Sequence, residues 1–189
     1  MLSTMFEPEL LEGMRPISRA EYDRMVEVGI LDEDDKVELL RGVIVKMSPQ
    51  GEHHSALIEW LNNHLVRSLD PSFSVRPALP FAASDWSEPE PDFAILPAKR
   101  PSLAHPQTAL LLIEVSDSSL RKDRRIKLGI YAEAGVPEYW IVNVKEMTIE
   151  VYRDPSGDQY ASKQILRDGD VARPRMVPGV EIAIADLPR

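Results

Sequence analysis

The sequence predicts an α/β fold built on a mixed central sheet with flanking helices, and three stretches carry that prediction. The run LLLIEV (Leu110 to Val115) is apolar at almost every position, as a strand buried on both faces requires. A helical stretch follows it, and then a second buried run, EYWIVN (Glu138 to Asn143). Strand, helix, strand in this order implies a right-handed parallel crossover.

The other elements follow in order. Ser18 with Glu21 three residues later reads as a capping box that opens a helix running to about Val28. KVELLRGVIVKM reads as two strands around a tight turn at Arg41 and Gly42. SPQGEHH breaks that pattern, and a helix is expected from about His54 to Leu69, with Leu57, Trp60, Leu61 and Leu65 on one apolar face. Strands are expected at Ser74 to Leu79 and Asp92 to Leu96, then a proline-containing loop (Pro97, Pro101, Pro106) before LLLIEV. The helix after LLLIEV should run from about Ser119 to Ala134, capped by Gly135 and stopped by Pro137. The tail reads as a hairpin, TIEVYR and QYASKQIL around DPSGD, with a last short strand near Val180 to Ile184.

With 189 residues, no internal repeat and no low-complexity linker, one domain spanning 1–189 is expected. Its first residues, about 15, are a candidate extended arm. The opening MLSTMFEPELLEG has no basic region before an apolar stretch, so no signal peptide is expected. No apolar run approaches the roughly 20 residues that a spanning helix needs. The absence of cysteine removes disulfides and thiolate metal sites, and cytoplasmic residence is the resulting expectation. A net charge of -9 argues against a protein that coats nucleic acid electrostatically, but not against an enzyme that gathers carboxylates around a metal. Locally, RKDRRIK (Arg121 to Lys127) carries five basic residues in seven.

The chemistry concentrates on the helix after LLLIEV. At about 100° per residue, Leu120, Asp123, Lys127, Tyr131 and Ala134 share one stripe, and its apolar members make it the core-facing side. Lys127 sits mid-stripe, where an unpaired ammonium is expensive, so it needs an anionic partner. An i, i+4 pair with Asp123 is the simplest choice. Glu114, ending the buried strand, and Asp92, starting another, are the others. Two carboxylates on adjacent strands can hold Mg²⁺. A structural Glu114–Lys127 pair in an unrelated α/β protein satisfies the same pattern.

These residues also carry a family resemblance. Pro91-Asp92 and Glu114-Val115-Ser116 resemble the PD-(D/E)XK nuclease signature. VELLRGVIVKMSPQGEHH, EPEPDFAIL and LLIEVSDSSLRKDRRIKLGIYAEAGVPEYWIVN resemble the Uma-type restriction endonuclease branch of that superfamily, over about Ile17 to Leu187. The resemblance implies a restriction-endonuclease-like fold, a divalent metal (Mg²⁺ or Mn²⁺), endonuclease activity on nucleic acid, DNA above all, and a homodimer. It implies Asp92 and Glu114 as metal ligands and Lys127 as the catalytic lysine, because Ser116 stands where the superfamily places its own. Glu38 resembles the accessory acid, and His54 a histidine recurrent in the branch. Asp123 and Tyr131 are expected to support Lys127, and Arg121, Lys122, Arg124 and Arg125 are candidate phosphate contacts. The rival expectation is a catalytically silent nuclease-like module that binds rather than cuts.

Overall fold

The computed structural model describes residues 13–32, 34–99 and 102–188, so most of the expected N-terminal arm lies outside the described residues. Helix α1 (Arg19–Glu27) starts at the expected capping box: Ser18 Oγ accepts from the Glu21 N–H, and the Ser18 N–H donates to Glu21 Oε2 at 2.9 Å. Strands β1 (Val37–Leu40) and β2 (Val43–Lys46) form the first hairpin. Arg41 (φ 50) and Gly42 (φ 77) turn it through two left-handed residues. Gly42 is required for a second reason, since a Cβ there would lie 2.4 Å from Pro16 Cβ.

Helix α2 (Glu52–Ser68) starts two residues before the expected point and buries Leu57, Leu61 and Leu65. Strands β3 (Phe73–Pro77), β4 (Phe93–Pro97), β5 (Leu111–Ser116), β6 (Glu138–Asn143), β7 (Thr148–Ser156) and β8 (Gln159–Leu166) form one six-stranded sheet in that order. Only β5 and β6 are parallel; every other neighbouring pair is antiparallel. The sheet is therefore mixed, as the sequence predicts. Two-residue strands β9 (Val171–Ala172) and β10 (Ile182–Ala183) pair separately.

Helix α3 spans 120–133 and is not uniformly α-helical. An α turn (Leu120–Lys122) leads into a π turn (Asp123–Lys127) and then an α stretch (Leu128–Glu133). Gly135 (φ 71) ends it, with the Val136 N–H donating to the Tyr131 carbonyl at 3.0 Å.

Strand alternation sorts the core into two layers. Leu111, Ile113 and Val115 pack with α2, whereas Leu112 packs with Tyr131 and Tyr139 on the α3 side. Glu114 and Ser116 share the parity of Leu112, so both lie on the α3 side. In the antiparallel β4–β5 ladder Phe93 faces Ile113 and Ala94 faces Leu112. Continuing this register by one step brings Asp92, just before β4, beside Glu114.

The tail hairpin departs from the expected pattern. β7 continues through Asp154, Pro155 and Ser156, and the chain reverses at Gly157. Asp154 takes a left-handed conformation (φ 61) inside the ladder, so the DPSGD segment is mostly strand rather than turn.

Candidate active site

Glu114 is buried (4% exposed), and both of its hydrogen bonds fall on one oxygen. Lys127 Nζ donates to Oε1 at 2.9 Å and the Tyr131 hydroxyl donates to the same atom at 2.7 Å. Burial pushes the Glu114 carboxyl well above its ordinary value, with Lys127 opposing. Asp92 is held differently: the Val115 N–H donates to Oδ2 at 2.7 Å. Both carboxylates therefore keep one oxygen without a hydrogen bond among the described residues. Both line a cavity of about 80 Å³ together with Glu38, His54, Lys122 and Lys127.

Lys127 is 4% exposed and doubly paired, to Glu114 and to Glu38 Oε2 at 3.0 Å; it also donates to the Glu90 carbonyl at 3.2 Å. Burial alone would lower its pKa, but Glu114 and then Glu38 raise it above the usual lysine value, so the ammonium stays charged. Glu38 is 1% exposed and sits at the site because β1 bonds to the segment before β4. The Glu88 N–H donates to the Leu39 carbonyl at 2.8 Å, and the Glu90 N–H donates to Glu38 Oε2 at 3.3 Å. Burial drives the Glu38 carboxyl up, yet Lys127 and Lys122 together hold it below the ordinary range.

Asp123 does not pair with Lys127 within ion-pair distance. The Ser116 and Ser119 hydroxyls both donate to its Oδ2 at 2.6 Å, while its Oδ1 is buried without a partner among the described residues. Burial raises its pKa, with Lys127 opposing. His54, in the first turn of α2, places Nε2 3.7 Å from Asp92 Oδ2. Burial alone would lower its pKa, but Asp92 outweighs this and the net shift is upward.

The expected basic patch is not one surface. Lys122 donates to Glu38 Oε1 at 2.7 Å, and the Arg124 Nε donates to Glu150 Oε1 at 2.9 Å, so both of these candidate phosphate contacts are already paired with carboxylates. The π turn explains Lys122. In an α-helix, residues five apart point about 140° away from each other. The i to i+5 spacing of a π turn brings Lys122 and Lys127 onto one side, where they share Glu38. Arg121 and Arg125 are exposed. Sequence reasoning also missed Glu90, whose only signal is its place two residues before Asp92.

The donor set fits a small hard cation. Among the described residues no three His, Asp or Glu side chains cluster in a way that holds an ion. Two carboxylates with free oxygens on one cavity match the Mg²⁺ pattern of one or two protein carboxylates, with water and substrate oxygens completing the shell.

The fold and this carboxylate–lysine cavity define an α/β protein of the restriction-endonuclease-like class. The chain belongs to the Uma2 family, described as "Putative restriction endonuclease", which it matches over residues 19–185. Its structure is similar to a crystal structure from Anabaena variabilis described as "a putative nuclease belonging to DUF820". The TM-score is 0.69 at 17% identity, covering 91% of this chain and 97% of that one. No curated protein matches the chain. Among the described residues no helix is long and apolar enough to cross a membrane.

Proposed function

We propose that the chain is a divalent-metal-dependent endonuclease that hydrolyses phosphodiester bonds in DNA. The observation that carries this reading is the Asp92–Glu114 pair. Each carboxylate is anchored through one oxygen, and both line the cavity that also receives the Lys127 side chain. Asp92 and Glu114 are the residues that would hold Mg²⁺ or Mn²⁺. When bound, such an ion lowers the pKa of a coordinated water and offsets charge on the phosphate. Lys127 keeps a fixed positive charge beside the reacting phosphate, where a preorganised cation stabilises the transition state. Tyr131 is a positioning residue that fixes Glu114. His54, favoured in its charged form, and the exposed Arg121 and Arg125 are phosphate contacts in this reading. We extend it to a homodimer acting in the cytoplasm.

One observation favours the second reading, a silent binding module. Lys122 and Lys127 are both committed to carboxylates, and the other acids of the lining outnumber them, so the cavity has no surplus positive charge for a phosphate. A cleavage assay on DNA and RNA with Mg²⁺ or Mn²⁺ separates the two. Asp92→Ala and Glu114→Ala should abolish both metal binding and cleavage. Lys127→Ala should lower the rate about 10²- to 10³-fold, by analogy with loss of a single oxyanion donor. Equal trace activity in wild type and all three variants would leave only the silent module.

A further inference from the structure

Glu90 and Met47 line two cavities: the small one described above and a larger cleft of about 720 Å³. That size is in the range of small-molecule pockets. Tyr22, Val26, Leu31 and Val37 give the cleft apolar walls. Its polar feature is Glu88, which is 4% exposed and whose Oε2 is buried with no hydrogen-bond donor among the described residues. Arg19 Nη1, 3.8 Å from Oε2, and His105 Nε2, 4.0 Å from Oε1, are ion-pair neighbours that stand beyond hydrogen-bond distance. A buried carboxylate oxygen without a donor is costly, so the site calls for an N–H group. Asp23, Glu27, Asp32 and Glu90 also line the cleft and disfavour a phosphate inside it.

We propose that the cleft receives one unstacked nucleobase of the strand whose phosphodiester occupies the Asp92–Glu114 cavity, with Glu88 accepting a hydrogen bond from the exocyclic amine of that base. The proposal rests on the nuclease reading for its substrate. Apolar walls against the faces of the base and a carboxylate at its amine edge are the usual means of reading an extruded base. A carboxylate accepts from the cytosine amine. Uracil offers a carbonyl oxygen at the same position and is repelled. The two cavities share Glu90 and Met47 in their linings, so they are neighbours, and in this proposal one nucleotide places its base in the cleft and its phosphate in the smaller cavity.

The test is fluorescence anisotropy of the full chain with single-stranded oligo-dC and oligo-dU of equal length. Ca²⁺ replaces Mg²⁺, and the pH is 8. This lies above the value of about 7 to which burial and then Asp23 raise Glu88, so the group is acceptor only. Oligo-dC should bind about tenfold more tightly than oligo-dU, in the range of one good base contact. Glu88→Gln, which presents both an acceptor and a donor, should erase the preference. Val26→Glu, on a half-exposed wall position, should weaken binding of both strands without unfolding the chain. Equal binding of the two oligonucleotides, or a preference that survives Glu88→Gln, overturns the proposal. Free deoxycytidine binding where the oligonucleotides do not bind overturns it too, since the cleft would then serve a free ligand. A parallel cleavage assay separates the two ideas. Cleavage that depends on Asp92 but is indifferent to the base removes the cleft proposal and keeps the nuclease. A dC preference without any cleavage supports base binding in the cleft and removes the nuclease.

Discussion

Glu38 and Lys127 form a buried ion pair, Oε2 to Nζ 3.0 Å, which ties the N-terminal hairpin to the helix that follows the central strand. Glu38 is also the partner of Lys122, so its removal leaves one buried and one half-buried ammonium short of a counter-charge. Glu38→Ala should cost about 3 to 5 kcal/mol of folding stability, the range for breaking a buried pair from one side. Glu38→Gln, which keeps the acceptor oxygen, should cost less. Urea denaturation reads both, and a loss under about 1 kcal/mol for the alanine variant would show that the lysines find other partners.

Burial holds the Glu114 carboxyl above its ordinary value of 4.5, so the folded, metal-free chain binds a proton there that the unfolded chain has released. Two results follow from the sign. The contribution of this group to stability is complete below 4.5 and declines as pH rises toward the elevated folded value. Metal binding must displace the same proton, so Mg²⁺ affinity should increase with pH over that window. Calorimetry in two buffers of different ionisation enthalpy should report proton release, and Glu114→Gln should lose both effects. Mg²⁺ affinity independent of pH above 4.5 contradicts the assignment.

Tyr131 reaches Glu114 Oε1 at 2.7 Å from within the α3 layer of the core. Tyr131→Phe removes only the hydroxyl. Metal affinity should fall about 10- to 100-fold, as for other residues that orient a ligand. Stability should fall by about 1 to 3 kcal/mol, the range for leaving a buried polar group short of a hydrogen-bond partner. Lost stability with unchanged metal affinity would mark the tyrosine as a packing residue alone.

His54 titrates against Asp92. In the metal-free protein its imidazole should lose its proton above the ordinary 6.5, since Asp92 outweighs the burial that alone would lower it. Mg²⁺ held by Asp92, as proposed, would offset the carboxylate charge and should move the midpoint down. Proton NMR of the ring follows both steps. A midpoint below 6.5 without metal, or one indifferent to Mg²⁺, rules out this coupling.

Features set by neighbouring residues were legible in the sequence. The Ser18–Glu21 capping box, the Arg41–Gly42 turn and the Gly135 cap all depend on residues within a few positions of each other, and all stand where expected. The buried strands β5 and β6 announced themselves by apolar runs. Strands β9 and β10 are two residues each and form only because distant segments meet, so Val171–Ala172 gave no local sign. Glu38 shares a strand face with buried Leu40, so strand alternation places it inward. The partners of Lys122 and Arg124 depend on a π turn and on Glu150 of β7, neither of which a helical wheel contains.

The π turn at 123–127 amounts to one residue spliced into a helix, and it changes what the sequence position of a charge means. Lys127 reaches Glu114 from the helix, while Ser116, the strand residue two places after Glu114, is free to hold Asp123 with its hydroxyl. The location of the ammonium in space is thus uncoupled from the element that carries it. A strand can carry a small polar side chain two places after its glutamate when the next helix is wound loosely enough for a helix lysine to reach the glutamate oxygen.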